Sequence, residues 1–238
     1  MTKEHIVSSF DRDLESIQAT VMKMGGLVEK ALRDALQALE ARDVDLAERV
    51  RASDKAVDEL DVAAKADAAR VLALRSPTAS DLRTVLSVIE ISSHLERCGD
   101  YAKNIAKRTS VLAGMGEIDG SLSALRRMSV FVERMLSDSL DAYIQKDAGK
   151  AEDIINRDVE ADQMYNTIFR SLLTHMMEDP RNIAAGMHLH FIAKNIERVG
   201  DHATGIAEQT IYLATGELPE DDRPKKDRTS VEFSESDE

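Results

Sequence analysis

Tryptophan is absent from the sequence, only 4 % of its residues are aromatic, and 238 residues hold four prolines and eleven glycines. A sandwich or barrel needs turn residues every few positions and β-branched or aromatic strands. This text is instead dominated by Ala, Leu, Glu, Asp, Arg and Lys, the vocabulary of long helices. A single cysteine, Cys98, excludes an intramolecular disulfide framework. Basic charge is also short: the net charge is -13, and no basic stripe of the kind that phosphate contacts require occurs, which argues against a nucleic-acid binder. No run of 18 apolar residues exists, so membrane insertion is not expected. The start, MTKEHIVSSFDRD, lacks the basic and apolar regions of a signal peptide, so a cytoplasmic location is expected.

What is present is helical periodicity. Leu14, Ile17, Val21, Met24, Val28, Leu32, Leu36 and Leu39 mark a first amphipathic helix, interrupted in composition only by Gly25 and Gly26. Asp43 is placed to cap a second helix that runs to a turn around Pro77, and Ser80 to cap a third. The stretch AGMGEIDGS then reads as a linker. The cycle repeats with a helix from about Leu122, a fifth after Asp147 and a sixth after Asp179-Pro180. The expected fold is all-α: two tandem, pseudo-symmetric three-helix bundles, residues 1–115 and 116–216, built from six long antiparallel helices. Residues 217–238 are polar and expected to form a disordered acidic tail.

The repeat is carried by aligned text. ERCGDYAKNIAKRT, from Glu96, returns as ERVGDHATGIAEQT, from Glu197, and Asp43, Asp54 and Asp58 answer to Asp147, Asp158 and Asp162. Val199 stands where Cys98 does, so Cys98 reads as a small apolar residue rather than a nucleophile.

Four acid pairs share the spacing i, i+4: Asp54/Asp58, Glu96/Asp100, Asp158/Asp162 and Glu197/Asp201. Each pair lies on one helix face, at a cost of about 0.2–0.5 kcal/mol to an isolated helix. Asp54 and Asp100 are equally far from Pro77 along the chain, as are Asp58 and Glu96; an antiparallel hairpin turning there sets them level. The second half repeats this around Asp179-Pro180. By the same reckoning from Asp43 and Asp147, Glu29 and Glu133 join the layers with less support. A helical wheel puts Glu96 and Asp100, and their repeats, just outside the apolar arc, on a rim open to solvent, with Gly99 and Gly200 allowing something to come close. Gathered carboxylates repel, raise one another's pKa, or hold cations, and all-oxygen ligation suits Mg, Ca, Mn or iron. The alternative is a solvated face on which Arg97, Arg198 and Lys103 pair with the acids.

These features together resemble the PhoU family of phosphate-specific transport system accessory proteins: the two three-helix repeats, MGGLVEKAL at 24–32, SDLR at 80–83, LERCGDYAKNIAKR and IERVGDHATGIAE. The resemblance implies a non-enzymatic negative regulator of the phosphate-starvation response. Its partners would be a sensor histidine kinase and the ATPase subunit of the phosphate ABC transporter, with a homodimer as the expected assembly. It also implies clusters of divalent or trivalent metal ions (iron, Mn, Mg or Zn) on the E/D-x-x-x-D motifs, which fall here on Asp54, Asp58, Glu96, Asp100, Asp158, Asp162, Glu197 and Asp201. Two other readings stay open. A ferritin-like redox protein would need Glu-x-x-His, and no Glu here has His three residues on; Asn195 replaces His94 in the repeat, so His94 reads as an ordinary polar helix residue. A purely structural helical scaffold has no need to restore carboxylates at matching heights in both halves.

Overall fold

A computed structural model describes residues 3–219 apart from 76 and 78; the greater part of the expected tail, residues 220–238, lies outside the described residues. Six α-helices follow in order: α1 Lys3–Ala41, α2 Val44–Arg75, α3 Ala79–Leu112, α4 Ser121–Gln145, α5 Ala148–Glu178 and α6 Ile183–Thr215, with a 3-10 turn, Pro180–Asn182, leading into the last. There is no strand among the described residues. Within each half the three helices pack on one another, as two three-helix bundles.

The ends of the helices follow local chemistry. Asp43 Oδ1 accepts from Leu46 N at 2.8 Å and Asp147 Oδ1 from Lys150 N at 3.0 Å, each satisfying an amide that the helix itself leaves unpaired. Asp179 accepts from Arg181 N, but what it opens is the 3-10 turn, and α6 proper begins only at Ile183. Ser80 differs from expectation: it lies inside the first turn of α3, where its carbonyl accepts from the Thr84 hydroxyl. Gly216 ends α6 with φ 88°, a left-handed conformation that suits a residue without Cβ.

Gly25 does not break α1. A Cβ there would stand 2.6 Å from Leu140 Cδ1, so the glycine lets α4 of the second bundle approach α1 of the first. The larger contact between halves joins α3 to α6. Arg83 packs at Gly216, His94 at His202 and Arg108 at His188, so the two helices run antiparallel, and the ERCGD and ERVGD segments sit level near the middle of the seam. One continuous hydrophobic cluster runs through both bundles, from Val21 and Met24 through Ile91, Leu95 and Cys98 to Met128, Ile192 and Val199. Cys98 is fully buried and burial pushes its thiol pKa up, as a packing residue's would be.

Candidate functional site

The first acid layer lies between α2 and α3. Asp54 is 5 % exposed, and its Oδ2 accepts from Lys103 Nζ at 2.5 Å, while its Oδ1 has no hydrogen-bond partner. Lys103 Nζ also lies 3.6 Å from Asp100 Oδ1, and Arg97 bridges loosely to Glu96 at 3.6 Å and to Asp100 at 3.7 Å. Asp58 is exposed and Glu96 half-buried. Both carboxyls are held above their ordinary pKa, by lost hydration first and then by neighbouring acids: Asp54, Asp100 and Asp61 act on Asp58, and Asp100, Asp61 and Asp58 act on Glu96. Lys103 is raised in turn, chiefly by its hydrogen bond to Asp54. The four expected acids of the first half therefore share one electrostatic neighbourhood, with an ammonium among them.

The group that comes close to Gly99 is α2 itself. Asp54 Oδ1 and Val57 Cγ1 each lie 3.4 Å from where a Cβ would stand, so the absent side chain seats the buried carboxylate against α3.

In the second layer Glu197 is 5 % exposed, so it sits inside the rim on which the wheel placed it, and Asp162, 7 % exposed, is buried as Asp54 is. The wheel counts only a helix's own face and leaves out the cover that neighbouring helices supply. Glu197 Oε1 accepts from Lys194 Nζ at 2.6 Å, and its Oε2 has no hydrogen bond, with Arg198 Nε at 3.9 Å. Burial, reinforced by Asp201, pushes the Glu197 pKa up to about 7 against the pull of Lys194 and Arg198. Asp201 pairs with Arg198 at 3.5 Å, and Asp158 Oδ1 lies 3.7 Å from the Cβ position of Gly200, repeating the arrangement at Gly99.

Glu29 and Glu133 are brought together with each other, in a groove between α1 and α4 that Arg33, Arg134 and Ser137 also line. Glu133 accepts from the Ser129 hydroxyl at 3.1 Å, and burial raises its pKa while Ser129 and Arg33 oppose and Glu29 adds to the rise. A count of residues within one bundle does not register this meeting across the seam.

Sequence reasoning passed over a second cluster, at the α3/α6 seam. His94 Nδ1 and His202 Nδ1 are 2.8 Å apart, so one imidazole donates to the other, and Tyr101 stacks on His202 with centroids 5.6 Å apart. The His94 ring packs directly against Gly205. Burial first, then His94, Arg97 and Arg198, push the His202 pKa down to about 4. Tyr101 and His202 hold matching positions in the repeat, but nothing in the linear text says that α3 meets α6.

The layers have the donor set of a hard-cation site: oxygen only, with buried carboxylate oxygens of Asp54 and Glu197 that lack hydrogen-bond partners. As the side chains stand, the ammonium groups of Lys103 and Lys194 supply the positive charge in place of such a cation. Among the described residues no three of His, Cys, Asp or Glu converge to ligating positions. No helix of the described residues is long and apolar enough to cross a membrane.

The architecture defines a duplicated three-helix-bundle protein with an acidic layer in each half. The family model of the PhoU domain matches residues 21–109 and again 125–210, one copy per bundle. The chain belongs to the PhoU family. It is 43 % identical to the phosphate-specific transport system accessory protein PhoU homolog of Rhizobium meliloti, over 97 % of this chain and 98 % of that one, and 46 % identical to the Zymomonas mobilis homolog, over 93 % of each. Among solved structures it is similar to PhoU from Pseudomonas aeruginosa, with TM-score 0.85 and 38 % identity over 87 % of this chain and 100 % of that one. The phosphate transport system regulatory protein PhoU from Streptococcus pneumoniae matches with TM-score 0.82 and 33 % identity, over 88 % of this chain and 98 % of that one.

Proposed function

We propose that the protein is a negative regulator of the phosphate-starvation response: a cytoplasmic, non-enzymatic adaptor, working as a homodimer, between the phosphate ABC transporter's ATPase subunit and a sensor histidine kinase. The observation that carries this reading is the duplicated PhoU domain along a chain that aligns nearly end to end with proteins named as accessory to phosphate-specific transport. The acid layers support the second part of the reading, that Asp54, Asp58, Glu96 and Asp100 in one bundle, and Asp158, Asp162, Glu197 and Asp201 in the other, hold a divalent or trivalent cation such as Mg, Mn, iron or Zn. Such an ion would neutralise the repulsion that adds to lost hydration in raising Asp58 and Glu96, and would fix α2 against α3 at the surface offered to a partner. The same cation-holding role extends to Glu29 and Glu133, which line one groove between α1 and α4.

Deletion of the gene tests the regulatory role. Phosphate-starvation genes should then be expressed in high phosphate, and reintroduction of the wild-type chain should silence them. A response that stays normal after deletion would sink the assignment.

A further inference from the structure

The outer side of the α3/α6 seam has unlike ends. At the end where α6 begins, the large apolar side chains of Val111, Ile183, Met187 and Phe191 are exposed. Ile183, Met187 and Phe191 recur at i, i+4, i+8, so one face of α6 carries all three. The Arg108 guanidinium lies 4.2 Å above the Phe191 ring, and its Nε has no hydrogen-bond partner. Its Nη1 donates to His188 Nδ1 at 3.3 Å, which leaves the His188 proton on Nε2, a second donor beside the first. At the opposite end the repeat writes Tyr212 for Val111 and Leu82 and Leu86 for Ile183 and Met187, but Glu90 for Phe191 and Gln209 for Arg108. An apolar shelf carrying a cation therefore exists at one end only.

The chain itself holds a segment that fits. α6 ends at Gly216, against Arg83. Beyond Pro219 the charges come in blocks: EDD at 220–222, RPKKDR at 223–228, and VEFSESDE at 231–238, the last with four acids, no base and the apolar Val231 and Phe233. We propose that residues 231–238 dock in cis on this shelf, with Val231 and Phe233 against Met187 and Phe191 and the acids around them on Arg108 and His188. The reach is sufficient: from Gly216 back to Phe191 is about 38 Å of helix, and the chain from Gly216 to Phe233 spans up to about 56 Å when extended. Laid back along the seam, the earlier blocks meet opposite charges in the same order, EDD beside Arg83 and RPKKDR level with the acids of ERCGD and ERVGD at mid-seam. Residues 231–238 have too little apolar surface to fold alone. Tethering supplies a high effective concentration, and Arg108, already oriented by Phe191 and His188, forms charge-assisted hydrogen bonds at little ordering cost.

The sequence has no tryptophan, so Phe233→Trp in the full chain places a single indole in the segment. Seated, that indole should emit to the blue of a free one and be quenched by acrylamide several-fold more slowly than in the unfolded chain. Both signals should persist on dilution, because the contact is within one chain. Arg108→Gln and Phe191→Glu, added singly, copy the opposite end of the seam onto the shelf. Each should return emission and quenching to those of a free indole while circular dichroism stays helical, and Glu90→Gln should leave both signals unchanged. An indole quenched as in the unfolded chain, or one equally protected in Arg108→Gln and Phe191→Glu, would overturn the proposal. Protection that vanishes on dilution would overturn docking in cis and give the shelf to the same segment of a second copy.

Discussion

Removing Lys103 probes the first layer most directly. Lys103→Met keeps the length and apolar stem of the side chain but leaves Asp54, 95 % buried, with no counter-charge on Oδ2 and with Asp58 and Asp100 still beside it. Breaking a buried ion pair from one side costs about 3–5 kcal/mol. The Lys103 side chain is 43 % exposed, so water screens part of this, and a loss of roughly 1–3 kcal/mol is expected. For a chain of this length each kcal/mol moves the midpoint by about 2–4 °C, which places the drop at roughly 2–12 °C in a thermal melt followed by circular dichroism at pH 7. Two further measurements separate charge from packing. Asp54→Asn added to Lys103→Met should recover most of the loss, because the orphaned charge is gone, and millimolar Mn2+ should raise the melting point of Lys103→Met more than that of wild type. If the double variant melts no higher than Lys103→Met, the loss is one of packing, and Lys103 is not the compensating charge of this layer.

Other perturbations give equally definite outcomes. Gly205→Ala drives a Cβ into the His94 ring and should separate it from His202, lowering stability by about 1–3 kcal/mol in urea unfolding; a neutral result would mean that the seam yields freely there. His190 is ringed by Tyr165, Phe169 and Phe191, and burial, then Lys194 and Arg108, lower its pKa. A depressed histidine contributes stability that is present above its unfolded pKa of about 6.5 and is lost as pH falls below it, so His190→Phe should flatten the decline in unfolding midpoint between pH 7 and 5. Ser129→Ala removes the hydroxyl that stabilises the ionised Glu133, and the Glu133 carboxyl should titrate higher still by nuclear magnetic resonance.

The helices, their order and the capping aspartates were legible because the text repeats the same apolar spacing twice and places an aspartate before the second, the fifth and the turn into the sixth. The acid layers were legible in part, because two residues equally far from a turn must lie level in an antiparallel hairpin. Depth was not. Asp54, Asp162 and Glu197 are buried, and a wheel drawn on one helix does not count the cover that neighbouring helices supply. Nor was the seam: the Nδ1 pair of His94 and His202, the meeting of Glu29 with Glu133 and the approach that Gly25 permits are all contacts between halves more than a hundred residues apart. Periodicity reports that a face is apolar and is silent on which face it meets.

The antiparallel meeting of α3 with α6, accompanied by that of α1 with α4, joins equivalent helices of the two repeats. Equivalent surfaces meeting about a two-fold are what an isologous dimer has, and here residues 113–120 bind the two copies into one chain. In a true dimer any substitution appears on both sides of the axis at once. A fused pair is released from that constraint: an acid can become a tyrosine, or a tyrosine a histidine, in one half alone. Joined in this way, a symmetric assembly becomes able to present two different partners with two different faces.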